Sequence, residues 1–507
     1  MKLKPIARAV ALVGAVLLGS ELVYVVVANS VIYSGLIQWA AATSPDRVEL
    51  GWERAYSAWP GRAHVSGFRL AVQDRVMQLR LTIDEASLDV TLWELFRKRF
   101  RASHVHAEGV SFRFLPRSER TPGQAARLAA FPTIEGFPRP AWVPDPALPP
   151  MTPEQIDMLW NVQLDDVEGT LSELWILEYR YQGPAHVSGG FALSPLRTLW
   201  VGPARLDLEG GTLSAGEHTL SSAFTLAAQV TIAPVDLPSS PGFRVLQTLT
   251  ASVHCDTALE DLGAADLYLD GLRMRGSGKL AVALQIATGR LMPGSTLAVW
   301  LPATAVELRG QSFSGKAQAS LSVSEDTKVP TVLAALNGGL SVRLPSMKAL
   351  ETSLSGVTLE AALADNDLSS GPSLQRLFAV VGEARVNDAR PITGTLSLTV
   401  PVFAQLVLGE GPLIASATAY VTPQYSLVRL KSLTLGDGAL EGAAVPGANG
   451  WNGAAAGHFG RIRVGLRLHD SALEGALFVL PTWLSTELRA AGIVPEKEPP
   501  MPQATAE

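Results

Sequence analysis

Two histidines in the stretch RFRASHVHAEGVSFRF have the residue type and spacing of metal ligands. His104 and His106 lie two positions apart, and an extended strand would point both imidazoles to one side, as a zinc site requires. The other histidines are scattered along the chain without ligand spacing, whereas zinc needs three or four ligands. Val105 and Ala107 form the apolar set of the same strand. We therefore predict that both histidines face solvent and that no metal is bound.

The stretch RMRGSGKL has the glycines and the lysine of a phosphate-binding loop. Such a loop needs glycine at the position of Arg273 and serine or threonine at the position of Leu280, and this chain has neither. An alternating strand follows where the loop would open a helix. We predict that Gly276 and Gly278 form a hairpin, and we expect no nucleotide or other cofactor.

Carboxylate pairs are the remaining candidates for acid and base catalysis. They are Asp165 with Asp166, Glu260 with Asp261, and Asp365 with Asp367. A glycosidase needs two carboxyl groups that face each other across a sugar, which adjacency in sequence does not provide, and acids are common in turns. No G-x-S-x-G motif occurs, so the simplest serine hydrolase is excluded. We predict that the protein is not an enzyme.

The elements that must position these residues are mainly β-strands. Apolar and polar residues alternate repeatedly, which is typical of strands with one buried face. The two clearest apolar sets are Phe224, Leu226, Ala228, Val230 and Ile232 in FTLAAQVTI, and Leu280, Val282, Leu284 and Ile286 in KLAVALQI. The same alternation recurs in residues 317–323, 357–363, 394–400 and 461–468, with turn signals between the strands. The pattern predicts an elongated antiparallel sheet with one apolar and one polar side.

Short helices are expected at only a few places. They are Thr91–Phe100, a helix from Thr152 with Pro153 in its first turn, and a C-terminal helix within residues 478–492. The aromatic stripe WILEYRY, residues 175–181, is expected to lie on one core-facing side of a strand. The stretch 442–460 is rich in glycine and alanine, and it predicts either a flexible loop or a close-packed turn.

The first residues of the chain predict a membrane anchor. Lys2, Lys4 and Arg8 precede an apolar run over residues 10–27, which is long enough to span about 30 Å of hydrocarbon. A cleavable signal peptide is the alternative, but the run exceeds the roughly 7 to 15 residues of a signal-peptide core. Because the basic residues precede the run, we expect a single-pass protein with a cytoplasmic tail and the bulk of the chain across the membrane.

The composition narrows the classes of partner. The chain has 507 residues, of which 47% are hydrophobic and 17% charged, with a formal net charge of −6, and we expect no nucleic-acid partner. The single cysteine, Cys255, excludes a disulfide framework and a zinc site of paired cysteines. A basic run is a candidate for contact with anionic lipid headgroups, with a solvated turn as the equal alternative. It consists of Arg97, Lys98, Arg99 and Arg101.

Changes in composition divide the chain into five segments. They are a tail and anchor (1–42), an anchor-proximal β module (43–130), a proline-rich linker in extended geometry (131–153), a longer β body (154–494) and a disordered tail (495–507).

Residues 47–114 carry a distinctive order of parts. Strand RVELGWERAYS is followed by a Trp-Pro-Gly turn, strand AHVSGFRLAVQD, the alternating strands LRLTIDEASLDVTL, the amphipathic turn WELFRKRF and the strands of ASHVHAEGVSFRF. This order, directly after an anchor, resembles the N-terminal module of the AsmA-like proteins, a bacterial family related in architecture to TamB-like and chorein-type bridge proteins. Residues 162–480 resemble the repeating β-groove of that family. The resemblance implies a curved sheet, apolar inside and polar outside, which carries lipid acyl chains between membranes.

We therefore expect an inner-membrane-anchored protein whose body lies in the periplasm of a Gram-negative-type envelope. Its apolar groove, lined by the two sets in 224–232 and 280–286, would hold or conduct phospholipid or another amphiphile and contribute to outer-membrane lipid homeostasis. Outer-membrane proteins are further candidate partners. The competing class is an envelope scaffold or outer-membrane assembly factor that carries no lipid, and an envelope enzyme acting on polysaccharide is a third. An open apolar trough favours the first class, and a closed sandwich the second.

Overall fold

The computed structural model describes residues 21, 23–42, 47–73, 77–116, 125–137, 151–240, 242–268, 271–308, 311–323, 332–343, 351–363, 374–387, 412–422 and 425–493. These residues form a mainly β protein with a few short helices, which confirms the predicted class. The predicted strand 394–400, the pair Asp365 and Asp367, and the predicted tail 495–507 lie outside the described residues.

The described helices are all short. They are α1 (23–33), α2 (Leu36–Ala42), α3 (Leu92–Leu95), α4 (Ala125–Ala129), α5 (Pro153–Asp157), α6 (Trp483–Ala490) and two 3-10 helices, Gly242–Thr248 and Gly263–Leu267. The two helices expected around Thr152 and near the C-terminus are confirmed. Helix α5 begins with a capping box, in which the Thr152 hydroxyl accepts from the Gln155 amide and the Gln155 side chain accepts from the Thr152 amide. The predicted helix 91–100 is too long, because α3 ends at Leu95 and Arg99 already starts a strand.

The described strands carry most of the chain. They are β1 (Arg47–Gly51), β2 (Arg54–Trp59), β3 (Arg62–Gln73), β4 (Met77–Val90), β5 (Arg99–Pro116), β6 (Asn161–Ile176), β7 (Tyr179–Ser194), β8 (Thr198–Ala215), β9 (His218–Asp236), β10 (Leu249–Leu259), β11 (Leu272–Ala287), β12 (Arg290–Leu291), β13 (Thr296–Leu308), β14 (Gln311–Val323), β15 (Val332–Arg343), β16 (Glu351–Leu363), β17 (Leu374–Val386), β18 (Leu413–Val421), β19 (Ser426–Leu435), β20 (Gly438–Pro446), β21 (Trp451–Phe459), β22 (Ile462–His469) and β23 (Ala472–Leu477).

The chain divides into two compact units. Unit 1 contains β1–β10, the second half of β11 and β12, and unit 2 contains the first half of β11, β13–β23 and α6. In unit 2 each strand from β13 to β23 pairs with the next in antiparallel fashion.

The sheet of unit 1 is mixed, whereas the alternation of residues predicted an antiparallel sheet. Strands β3–β5 and β6–β10 pair with their neighbours in antiparallel fashion, but β5 and β6 run parallel, with Arg99 opposite Asn161 and Phe114 opposite Ile176. A parallel pair needs a crossover connection that returns the chain to the same end. Residues 117–160 provide that crossover, and alternation within each strand carries no information about it.

The crossover includes the first part of the segment assigned as a linker. Phe131, Ile134 and Phe137 are buried together with Leu115 of β5, and Leu128 of α4 packs against them. Residues 138–150 lie outside the described residues, and Pro153 is the first residue of α5. The segment therefore buries apolar side chains as well as connecting β5 to β6.

Two turns differ from the prediction. The stripe 175–181 is not one strand face, because β6 ends at Ile176 and a turn at Leu177 and Glu178 leads into β7. The glycines Gly276 and Gly278 form no hairpin and lie inside β11. An added Cβ on Gly278 would lie 2.3 Å from the Trp300 carbonyl oxygen, so these glycines permit a close approach of β13.

Bulges interrupt the alternation of β5 without breaking the strand. Gly109 has a φ of 66°, and the pairing of β5 with β6 shifts register between Ala107 and Val110. A bulge at this position keeps Ala107 and Phe112 on the same side of the sheet. His104 has a φ of 48°, and the pairing of β4 with β5 shifts register beside it.

No helix among the described residues is long and apolar enough to cross a membrane. Residues 10–20 and 22 of the predicted anchor lie outside the described part of the chain.

Candidate functional site: the apolar face of each sheet

A continuous row of apolar residues crosses nine strands of unit 1. The row consists of Ala55, Val65, Ala86, Ala107, Gly169, Val187, Leu206, Ala228 and Val253, one from each strand from β2 to β10. Residues opposite one another in register point to the same side of a sheet. Eight strand spacings of about 4.8 Å make this row roughly 40 Å long.

The neighbouring row, on the other side of the sheet, is polar throughout its length. It consists of Tyr56, His64, Ser87, His106, Glu168, Ser188, Arg205, Gln229 and Ser252. The row continues into β11, because the Gln285 amide donates to the Ser252 hydroxyl at 2.9 Å. The alternation within each strand is therefore in register between strands, so that apolar residues share one side of the sheet of unit 1 and polar residues share the other.

A buried cluster occupies part of the apolar side. Tyr181, Ala185, Leu208, Phe224 and Cys255 are buried together, and Leu171, Leu174, Leu206, Leu213, Leu226, Leu280 and Val282 pack against them. The Tyr181 hydroxyl donates to the Pro184 carbonyl at 2.7 Å, which satisfies its polar end. Four of the predicted groove residues therefore belong to or border this cluster: Phe224, Leu226, Leu280 and Val282.

The other four predicted groove residues lie further along the same strands. Val230, Ile232, Leu284 and Ile286 are half-buried, whereas Gln229 and Gln285 on the opposite side are exposed. The structure thus brings the eight residues onto one apolar side but seals only part of it. We call the side of unit 1 that carries the nine-strand row and these eight residues the apolar face.

The element that packs on the sheet of unit 1 near β5 lies on the polar side. Leu115, which contacts Phe131 and Ile134, has the opposite parity to Phe112 in β5. Phe112 is opposite Leu174 of the buried cluster. Residues 125–137 therefore cover the polar side and leave the apolar face to other contacts.

Unit 2 also carries an apolar row. The row is described on nine strands, and it consists of Val299, Ala319, Ala379, Ala419, Val428, Ala444, Gly453, Leu468 and Leu473. Helix α6 packs on the opposite side, where Leu488 contacts the small residues Ala443 and Ala454. The stretch 442–460, expected to be a loop or turn, is instead mostly strand, and its small side chains make room for this helix.

A charged network on the polar side of unit 1 links β5, β6 and β7. Glu173 of β6 is buried and accepts from Arg113 at 2.8 Å, Arg180 at 2.7 Å and Ser111 at 2.8 Å. Burial opposes ionisation, but these hydrogen bonds outweigh it and lower the pKa of Glu173. Both guanidinium groups also lie over the Trp175 ring, at 5.4 Å and 4.8 Å.

The predicted headgroup residues do not share one environment. Arg97 is exposed at the end of α3, whereas Lys98 donates to the Met158 carbonyl at 3.3 Å. Arg99 lies 3.7 Å from Glu94, and Arg101 lies 3.2 Å from Asp165. Most of this basic run is therefore engaged by groups of the same chain.

The histidines considered as metal ligands or catalytic groups contact carboxylates of the same chain. His104 lies 3.3 Å from Asp89, and His106 lies 3.3 Å from Glu108; both histidines are exposed, as predicted. His218 contacts Asp261 at 2.7 Å. The described residues contain no group of three or more side chains able to hold a metal ion.

Sequence reasoning missed the small residues of the apolar row. Ala55, Ala86 and Gly169 are too small to mark an apolar stripe by themselves, and only their register shows that they continue it. Comparison of the chain with protein-family models, curated proteins and solved structures finds no match.

Proposed function

We propose that the protein binds the acyl chains of a phospholipid or another amphiphile on its apolar face, and that it does so while anchored in the inner membrane with its body in the periplasm. The observation that supports this proposal is the apolar row of unit 1, which continues over nine strands and of which Val65, Ala86, Val187, Ala228 and Val253 stay half-buried. Extended apolar surfaces left open in this way mark sites for apolar partners.

The geometry suits a chain-like ligand better than a compact one. A row of roughly 40 Å, from strand spacings of about 4.8 Å, exceeds the length of a small-molecule pocket. Its alanines and glycine form an even surface whose side chains have no hydrogen-bond donors or acceptors. An acyl chain needs only such a surface, because its binding depends on apolar contact and not on directed hydrogen bonds.

The proposed mechanism is passive and needs no catalytic residue. Apolar side chains contact the acyl chains, and the polar headgroup stays in water at the edge of the apolar face. Transport of lipid along the row and a contribution to outer-membrane lipid homeostasis follow from the same surface, and partners at the outer membrane would receive the lipid.

Lipid extraction tests the proposal directly. The full chain is purified, and co-purifying lipid is identified and quantified by mass spectrometry. We expect bound amphiphile in stoichiometric amount, and we expect Leu284→Asp to remove most of it because a carboxylate in the apolar face repels acyl chains. Ala283→Asp is the matched control, since Ala283 is the exposed neighbour in the same strand. Absence of amphiphile from the unchanged protein, or equal loss in both variants, would contradict the proposal.

A further inference from the structure

We propose that one edge of unit 1 inserts into the interfacial zone of a lipid bilayer through the side chains of Trp59, Trp93 and Phe96, here called the aromatic edge. This inference rests on the membrane-anchored arrangement proposed above and adds the surface that meets the bilayer. It concerns a different part of the sheet from the apolar face.

The three aromatic side chains are unusually exposed. Their exposed fractions are 66% for Trp59, 68% for Trp93 and 83% for Phe96. Large apolar residues seldom remain this exposed in a cluster unless the surface has a partner. Trp93 and Phe96 contact each other edge to face, with ring centroids 5.8 Å apart, so α3 presents them as one ordered pair.

Backbone hydrogen bonds bring the two aromatic segments to the same edge. The Val90 amide donates to the Gly61 carbonyl at 2.6 Å, and the Thr91 amide donates to the Arg101 carbonyl at 2.9 Å. Trp59 precedes Gly61 by two residues, and Trp93 follows Thr91 by two. The turn after β2 and the helix after β4 are therefore held side by side.

Helix α1 reaches the sheet at this edge. The Gly61 amide donates to the Tyr24 hydroxyl at 3.0 Å. Asn29 donates to the Ser57 carbonyl and accepts from the Ser57 amide, both at 2.9 Å. Residues 23–27, the last of the apolar run over residues 10–27, belong to this helix, so a chain that leaves the bilayer along it arrives at the aromatic edge.

Helices α1 and α2 also carry exposed apolar residues. They are Val23, Val26, Val27, Tyr33, Leu36 and Trp39. Tryptophan and tyrosine prefer the headgroup level of a membrane, where an apolar ring and a polar tip are both satisfied. A lipid surface therefore fits this edge better than the charged surface of a protein partner does.

The charges around the aromatic edge predict weak dependence on lipid charge. Arg99 and Arg101 pair with Glu94 and Asp165, whereas Arg97 and Arg62, the residue opposite Trp59, are exposed. Insertion should thus depend mainly on the rings, and salt should weaken it far less than it weakens a polybasic segment.

Site-directed spin labelling tests the inference. Cysteine is introduced by Phe96→Cys in the full chain, and the labelled protein is reconstituted into phosphatidylcholine vesicles. Cys255 is buried, and the unchanged protein serves to measure its background labelling. Phe478→Cys is the matched control, because Phe478 is 74% exposed and lies on a turn of unit 2.

We expect the label at position 96 to become at least about three times more accessible to oxygen than to a water-soluble nickel chelate, relative to the label at position 478. Equal accessibility at the two positions, or failure of the chain to float with vesicles, would overturn the inference. Loss of lipid in the extraction experiment would leave this result unchanged, so the two proposals fail separately.

A second pair of variants separates insertion from folding. Trp93→Ala with Phe96→Ala should reduce insertion of a label placed by Trp59→Cys, with the far-ultraviolet circular dichroism and the unfolding midpoint preserved, because both rings are exposed. Unchanged insertion of that label would overturn the role assigned to the pair.

Discussion

Ala107 and Gly169 lie opposite each other across the parallel pair β5–β6, and a Cβ on Gly169 would lie 2.7 Å from the Ala107 carbonyl oxygen. The two residues stand in the middle of the apolar row of unit 1. Among the described strand pairs of that row, β5–β6 is the one parallel pair. Because Gly169 has no side chain, the two backbones approach closely there, and the row continues from β5 to β6.

Gly169→Ala should lower the free energy of unfolding by about 1–3 kcal/mol, because the added methyl must displace the neighbouring backbone. The measurement is urea unfolding followed by circular dichroism. Gly51→Ala is the control, since an added Cβ there meets nothing within 4 Å and its backbone has no positive φ. An equal loss in the two variants would contradict the close approach in β5–β6.

Truncation to alanine should lower the free energy of unfolding more in the buried part of the apolar face than in its half-buried part. Leu208 is buried in the cluster, so Leu208→Ala should cost about 2–5 kcal/mol of stability. Leu284 is only half-buried, so Leu284→Ala should cost less than about 1.5 kcal/mol in lipid-free protein, because the side chain already contacts water. Equal losses measured by urea unfolding would indicate that the face is sealed.

The Glu173 network predicts acid sensitivity of unit 1. The pKa of Glu173 is lowered in the folded protein by its hydrogen bonds from Ser111, Arg113 and Arg180, which outweigh the effect of burial. The unfolded chain therefore binds the proton more tightly, and the stabilisation is present above the unfolded pKa and is lost as the pH falls through the folded value.

The variant Glu173→Gln should remove this part of the pH dependence and cost about 1–3 kcal/mol at neutral pH, because two guanidinium groups lose their charged partner. Urea unfolding between pH 3 and pH 7 provides the measurement, with Glu168→Gln on the exposed polar row as the control. An identical slope for the unchanged protein and Glu173→Gln would refute the assignment.

The sequence predicted the strand faces well and the strand partners poorly. Leu284 and Gln285 differ in side because alternation is a local property of each strand, and the structure keeps that difference. The parallel pairing of β5 with β6 depends on the course of residues 117–160, which no local pattern encodes. The turn at Leu177 and Glu178 was missed because the aromatic stripe continues across it.

The burial of Phe131 was also beyond local reasoning, because a proline-rich composition predicts an extended linker. Phe131 is buried against Leu115, and the Arg127 guanidinium lies 5.7 Å from its ring. Phe131→Ala should lower the free energy of unfolding by about 3–5 kcal/mol and speed proteolysis within residues 125–137. Glu135→Ala, at an exposed position of the same segment, should change neither. Equal cleavage of both variants and the unchanged protein would show that the packing contributes nothing.

His104 provides a test of the bulge interpretation against the metal hypothesis. Its φ of 48° lies in the left-handed region, which glycine adopts without strain and which a β-branched residue disfavours. His104→Gly should therefore leave stability within about 0.5 kcal/mol of the unchanged protein, whereas His104→Val should lower it by about 1–3 kcal/mol.

Thermal unfolding with and without added zinc tests the metal hypothesis. If zinc stabilised the unchanged protein but neither His104→Gly nor His106→Ala, the metal hypothesis would be supported, because the two imidazoles belong to one strand. We expect no such stabilisation, since each imidazole already pairs with a carboxylate of its own surroundings, Asp89 or Glu108.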